Sequence, residues 1–152
     1  MHTTALRVLV LDDDEQVRET LYDIISFLGH EPELAATGDE AVSLFARGRH
    51  DAVVTDLQMP DVSGWEVIER VRAIDPDVRI VLCTATATNM VVERARLHGI
   101  VLLRKPVQID ELQVALRPRL SGASGLPARL VDAVCRHTRL RRLLVLAPEA
   151  AG

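Results

Sequence analysis

The chain has 152 residues, of which 48% are hydrophobic and 26% are charged, and its formal net charge at pH 7 is −4. This length and apolar content predict one folded domain with a proper core and exclude two full-sized domains. The apolar runs, four or five residues long, are too short to span a bilayer and the N-terminus lacks the pattern of a signal peptide, so we expect a cytoplasmic protein without membrane contact.

Charge and cysteine usage restrict the function further. Residues 121–152 carry five arginines and two carboxylates, whereas the rest of the chain is acidic. Because nucleic-acid binders usually show a basic face on the folded domain itself, we expect no direct nucleic-acid binding. Cys83 and Cys135 lie far apart without a CxxC spacing and are predicted to be reduced packing residues, with no role in a disulfide or metal site.

A strand-like run followed by a helical pattern occurs five times along the chain. The first unit predicts a strand over Arg7 to Leu11 and a helix from near Asp14, its N-cap, to a stop at Gly29. The next units predict strands over 33–36, 52–56, 79–84 and 101–104, each followed by a helix, over 39–47, 63–74, 89–98 and 109–116. The third helix starts with a Ser63-x-x-Glu66 capping box. Alternating units of this length predict a doubly wound, five-stranded parallel sheet with helices on both faces.

Polar residues follow four of the predicted strands where each apolar run ends. They are Asp12 and Asp13 after the first strand, Asp56 after the third, Thr84 after the fourth and Lys105 after the fifth. Because the carboxyl ends of parallel strands share one edge of an open sheet, we expect these side chains to converge. Clustered carboxylates repel unless they bind a cation or a proton, and an oxygen-only site suits Mg²⁺. Lys105, the only lysine in the chain, fits a point-charge role.

Four segments resemble, in order and spacing, the motifs of the receiver domain of two-component response regulators. They are VLVLDDDEQVRETL, VVTDLQMPDVSGWEVI, VLCTA and LLRKP, and the resemblance covers about residues 5–120. It implies a flavodoxin-like (βα)5 receiver fold over residues 1–120. Residues 121–152 are predicted to be a short C-terminal extension, a helical interaction element that packs on the receiver or on a second copy; a frayed terminus is the alternative.

The resemblance also implies a phosphoacceptor and a metal site. Asp56 would be the nucleophile that accepts a phosphoryl group from a sensor histidine kinase or a histidine phosphotransfer protein. Asp13 would bind Mg²⁺ directly and Asp12 mostly through water, while a carboxylate oxygen of Asp56 and the backbone carbonyl of Gln58 complete the set. Such a protein catalyses only its own phosphorylation and dephosphorylation, so we do not expect an enzyme acting on another substrate.

Two further residues would contact the phosphoryl group according to the resemblance. Thr84 would donate its hydroxyl and so start a conformational switch, and Lys105 would neutralise charge. Thr86 and Thr88 compete with Thr84 in the run TATAT, but Thr84 fits the end of the apolar run. Many receivers carry an aromatic residue three positions before the lysine, where this chain has Leu102. We expect a stand-alone protein that signals through a downstream protein partner or a homodimer, without an aromatic switch at that position.

Two other classes of function remain as alternatives. Asp12-x-Asp14 after a strand, with a strand-end threonine and a lysine, also fits a haloacid dehalogenase-like phosphohydrolase in which Asp12 is phosphorylated. That family has Thr or Val two positions after the second aspartate, where this chain has Gln16, and it needs room for a substrate cap. The other alternative is a receiver-fold interaction module that works without phosphorylation, and the complete set of site residues counts against it.

Overall fold

The computed structural model describes residues 4–117, in which five strands alternate with five helices. The strands are β1 (Arg7–Leu11), β2 (Glu31–Ala35), β3 (Ala52–Asp56), β4 (Arg79–Thr84) and β5 (Val101–Arg104). The helices are α1 (Glu15–Phe27), α2 (Gly38–Arg47), α3 (Gly64–Ile74), α4 (Asn89–Leu97) and α5 (Ile109–Ala115). Within this part of the chain no helix is long and apolar enough to cross a membrane. Cys135 and the predicted extension over 121–152 lie outside the described residues.

The five strands form one parallel sheet in the order β2-β1-β3-β4-β5. In β1, Leu9 and Leu11 belong to a core that includes residues of α2, α3 and α4, whereas Val8 and Val10 belong to a second core with α1 and α5. Successive strand residues point to opposite faces, so each face of the sheet is buried under its own helix layer. The predicted doubly wound five-stranded sheet is confirmed.

The second strand differs from its predicted bounds at both ends. β2 starts at Glu31 and includes Pro32, whereas the sequence pattern places the strand over 33–36. β2 pairs only with β1, and an edge strand tolerates proline because only alternate N–H groups bond its single neighbour. Ala36 lies beyond the strand, where its N–H donates to Glu40 Oε2 at 2.8 Å. The edge position, which local pattern does not reveal, explains why the strand includes Pro32, and the hydrogen bond to Glu40 accompanies its end before Ala36.

Side-chain caps define where the helices begin. Asp14 Oδ1 accepts hydrogen bonds from the N–H groups of Gln16 at 2.9 Å and Val17 at 3.2 Å, which confirms Asp14 as the N-cap of α1. Ser63 caps α3, but its hydroxyl accepts from the Trp65 N–H at 3.2 Å and not from the Glu66 N–H of the predicted capping box. The bounds of α2 to α5 lie within one residue of those predicted.

We expect Cys83 to be unreactive toward thiol reagents in the folded protein. Its side chain is buried in β4, and burial raises the pKa of the thiol to about 12, so the reactive thiolate is scarce even at mildly alkaline pH. In a Cys135→Ser variant, an aromatic disulfide reagent should detect a thiol only after denaturant is added. Full labelling of the native variant would contradict the burial of Cys83.

Candidate functional site

Three carboxylates meet at the carboxyl edge of the sheet. Asp12 and Asp13 follow β1, and Asp56 ends β3, the strand paired with β1. One carboxylate oxygen of each residue lies within 4.8 Å of those of the other two. Asp12 and Asp56 are buried, whereas Asp13 is exposed, so solvent reaches the cluster from the Asp13 side. The fold therefore brings together the three carboxylates that the sequence pattern predicts to converge.

The ammonium group of Lys105 lies against two of these carboxylates. Its Nζ is 2.7 Å from Asp12 Oδ2 and 3.4 Å from Asp56 Oδ2. Burial alone lowers the pKa of Lys105, but the hydrogen bond to Asp12 and the negative charges of Asp12 and Asp56 outweigh it and raise the pKa. Lys105 is therefore charged at neutral pH and offsets part of the repulsion within the cluster.

The negative charge of Asp56 is only partly compensated by Lys105. Burial raises the pKa of Asp56, the charge of Lys105 lowers it, and the charge of Asp12 raises it further. The Gln58 N–H also donates to Asp56 Oδ1, at a long 3.4 Å. The balance is a raised pKa, which means that the anionic form of Asp56 gains less from its surroundings than it loses in hydration. A hard cation bound by these oxygens would supply the missing compensation, so the donor set fits Mg²⁺.

Backbone contacts hold Asp12 in place. Its Oδ1 accepts the Asp14 N–H at 2.9 Å, and its carbonyl oxygen accepts from Arg18 Nη1 at 2.8 Å. Sequence reasoning missed Arg18, because no motif links this helix residue to the carbonyl oxygen of Asp12. Arg18 thus adds a second cation beside the acidic cluster.

Thr84 lies at the site, but its hydroxyl is engaged within its own loop. The residue ends β4 and is buried, and Lys105 donates its N–H to the Thr84 carbonyl at 3.0 Å. The Thr84 hydroxyl donates to the Thr86 carbonyl at 3.0 Å and accepts the Thr86 N–H at 3.1 Å. Thr88 instead caps α4 by accepting the Val91 N–H, so Thr84 is the threonine placed at the strand end.

Comparison with known proteins identifies the family. The sequence model of the response regulator receiver domain family matches residues 8–117 of this chain. The chain belongs to this family. Response regulator MprA of Mycobacterium sp. (strain KMS) is 41% identical over 122 residues, which cover 78% of this chain and 52% of the relative. MprA of Mycolicibacterium vanbaalenii is 42% identical over 118 residues, which cover 76% of this chain and 50% of the relative. The chain thus spans about half the length of these curated relatives.

Solved structures agree with this assignment. The receiver matches Vibrio cholerae chemotaxis protein CheY4 with a TM-score of 0.69 and 26% identity, over 74% of this chain and 97% of that protein. It matches the N-terminal domain of an uncharacterized Wolinella succinogenes protein with a TM-score of 0.67 and 31% identity, over 74% of this chain and 91% of that one. The predicted receiver fold is confirmed, and the family is that of two-component signalling proteins. The match supports this interpretation over a phosphohydrolase of the haloacid dehalogenase type.

Proposed function

We propose that this receiver accepts a phosphoryl group on Asp56 from the phosphohistidine of a sensor histidine kinase or a histidine phosphotransfer protein. One observation carries the proposal. Oxygens of Asp12, Asp13 and Asp56 lie within 4.8 Å of one another, and Lys105 Nζ contacts the two buried carboxylates. A nucleophilic carboxylate, an acidic cation site and a fixed ammonium are together what transfer of a phosphoryl group to an aspartate requires.

The proposed transfer needs no other covalent group from the protein. A carboxylate oxygen of Asp56 attacks phosphorus in line, so a P–O bond forms while the P–N bond to the donor histidine breaks and the imidazole leaves with the electron pair. Lys105, already against Asp56 Oδ2, neutralises charge on the phosphoryl oxygens. Mg²⁺ supplies further neutralisation when bound, and Asp12, Asp13, Asp56 and the backbone carbonyl of Gln58 would hold it.

Thr84 is the proposed sensor of the modification. Its hydroxyl bonds Thr86 in the unmodified protein and would turn to a phosphoryl oxygen on Asp56. A contact made in only one of two conformations shifts the balance toward that conformation. We propose that the shifted conformation changes contacts with a downstream protein or drives homodimer formation in the cytoplasm. The boundary near residue 120, with 121–152 as an interaction element, stays part of this proposal.

Intact-mass analysis with acetyl phosphate tests the proposal directly. The parent should gain the mass of one phosphoryl group when Mg²⁺ is present and none when EDTA is added. Peptide mapping should place the group on Asp56. A phosphoryl group mapped to Asp12 would instead favour the phosphohydrolase alternative, and no gain of mass with Mg²⁺ would contradict phosphorylation of Asp56.

Asp13→Asn should weaken Mg²⁺ binding by about tenfold, because the affinity of such sites depends on the number of ligand charges. Asp13 is exposed, so the change removes no packing, and reduced repulsion within the cluster should leave the melting temperature of the metal-free protein equal or higher. Calorimetric titration with Mg²⁺ measures the effect. The matched control is Asp14→Asn, which keeps a helix cap and should bind Mg²⁺ as the parent does. Equal affinity in both variants would remove Asp13 from the metal site.

A further inference from the structure

Helix α4 is joined to α3 by a set of polar contacts. The Arg94 guanidinium lies over the ring of Trp65, 4.4 Å from its centroid, and Arg94 Nη2 is 3.4 Å from Glu69 Oε1. At the C-terminal end of α4, Arg72 Nη1 donates to the His98 carbonyl at 2.7 Å. The spacing of these residues puts them on facing sides of the two helices. We call the five residues the α3–α4 clamp.

Few apolar side chains hold α4 in addition to the clamp. Ala95 is the buried residue of the helix, and Val91 and Val92 pack only partly against the core. Met90 and Leu97 are 84% and 68% exposed. A cleft of about 320 Å³ also lies between α3 and α4, so this interface is incompletely filled. A helix with little buried area beside a cleft shifts at low cost, so even partly exposed polar contacts such as that between Arg94 and Glu69 bias its position.

The N-terminal end of α4 is tied to the phosphoacceptor site by a short loop. Residues 85–88 connect Thr84 to α4, and Thr88 is the N-cap of the helix. When the Thr84 hydroxyl leaves Thr86, the displacement therefore reaches the first turn of α4 within four residues. Leu102 on β5 is a buried aliphatic residue, so no aromatic ring transmits the change at that position. A displacement that starts at Thr84 and reaches α4 through this loop is therefore opposed by the clamp contacts, which hold α4 against α3.

We infer that the α3–α4 clamp holds α4 in its resting position and that phosphorylation of Asp56 releases Arg94 from Trp65. The inference rests on the proposed function, because it needs a phosphoryl group that draws Thr84 away from Thr86. Contacts present only in the resting conformation oppose activation. By linkage, a weakened clamp makes the active conformation more populated and tightens binding of any ligand that prefers it.

Trp65 is the only tryptophan in the chain and therefore reports on the clamp by its own fluorescence. Beryllofluoride with Mg²⁺ serves as the mimic of the phosphoryl group. In the parent, Trp65 emission should change and its quenching by acrylamide should increase as beryllofluoride saturates the site. In Arg94→Gln, Trp65 should already have, without beryllofluoride, the emission that the parent reaches with it, and beryllofluoride should change that emission little. It should also bind beryllofluoride about 3- to 10-fold more tightly, measured by fluorine NMR.

Arg70→Gln is the matched control for this experiment. Arg70 also lies on α3 and forms an exposed ion pair, but with Asp39 of α2 at 2.8 Å, so this variant should behave as the parent. Glu69→Gln, which leaves Trp65 in place, should shift emission and affinity in the direction of Arg94→Gln by a smaller amount. Beryllofluoride binding without a change in Trp65 emission would overturn the clamp, as would equal affinities for Arg94→Gln and Arg70→Gln. Absence of Mg²⁺-dependent binding to the parent would overturn the proposed function as well, and fluorine NMR detects that outcome independently of Trp65.

Discussion

Asp56→Asn should abolish phosphorylation by acetyl phosphate, while Asp14→Asn should retain it. The amide of asparagine has no anionic oxygen to attack phosphorus, and no other carboxylate in the cluster lies at the end of β3. Asp14 follows Asp13 directly, but its side chain is committed to the N-terminus of α1, a role that asparagine fills equally well. Intact-mass spectra of the parent and the two variants, each treated with acetyl phosphate and Mg²⁺, measure the effect.

The loss in Asp56→Asn should not result from unfolding. Asp56 is buried and burial raises its pKa, so replacing the carboxylate by a neutral group of the same shape removes a destabilising charge. We expect its melting temperature to equal or exceed that of the parent. A phosphoryl group that persists on Asp56→Asn would place the acceptor elsewhere, whereas a lower melting temperature would show that the Asp56 charge stabilises the fold.

Gly64→Ala should destabilise the protein by about 3 kcal/mol, because the added methyl group meets backbone atoms and not a mobile side chain. A Cβ at this position would lie 2.2 Å from the Asp56 carbonyl oxygen and 3.0 Å from Leu57 Cα. The Gly64 N–H also donates to the Leu57 carbonyl at 2.9 Å, which fixes the start of α3 against the end of β3. Relief of the overlap must therefore displace the segment that carries Asp56, so the phosphorylation rate should fall together with stability.

Gly38→Ala is the informative comparison for this effect. Its Cβ would lie 2.1 Å from Val62 Cγ1 and 3.1 Å from Cγ2 of buried Val67, but both are side-chain atoms, and the half-buried Val62 can change rotamer. We expect a cost of about 1 kcal/mol and little change in phosphorylation. Urea unfolding of both variants gives the two free energies of unfolding. Equal costs would mean that the backbone near Asp56 yields as easily as the half-buried Val62 side chain.

Much of this fold and its candidate site follows from local sequence pattern. The alternation of apolar runs with helical periodicity determines the five βα units, because burial on both faces of a parallel sheet requires such runs. Asp14 as a helix cap is equally local, since the side chain bonds N–H groups two and three residues away. The convergence of Asp12, Asp13 and Asp56 needed one further step, the rule that parallel strands end at the same edge.

Contacts between side chains from distant elements were decided by the tertiary structure alone. Local pattern does not show that Lys105 Nζ lies closer to Asp12 Oδ2, at 2.7 Å, than to Asp56 Oδ2, at 3.4 Å. It also does not show that buried His50 lies 2.6 Å from Glu33 Oε2, because no motif links these two positions.

The contacts of the α3–α4 clamp belong to the same class. Each depends on the distance and angle between packed elements, which are set by how side chains fill the space between layers. Periodicity determines which face of a helix is buried, but the axial shift and rotation of one helix against its neighbour determine which polar groups meet across it.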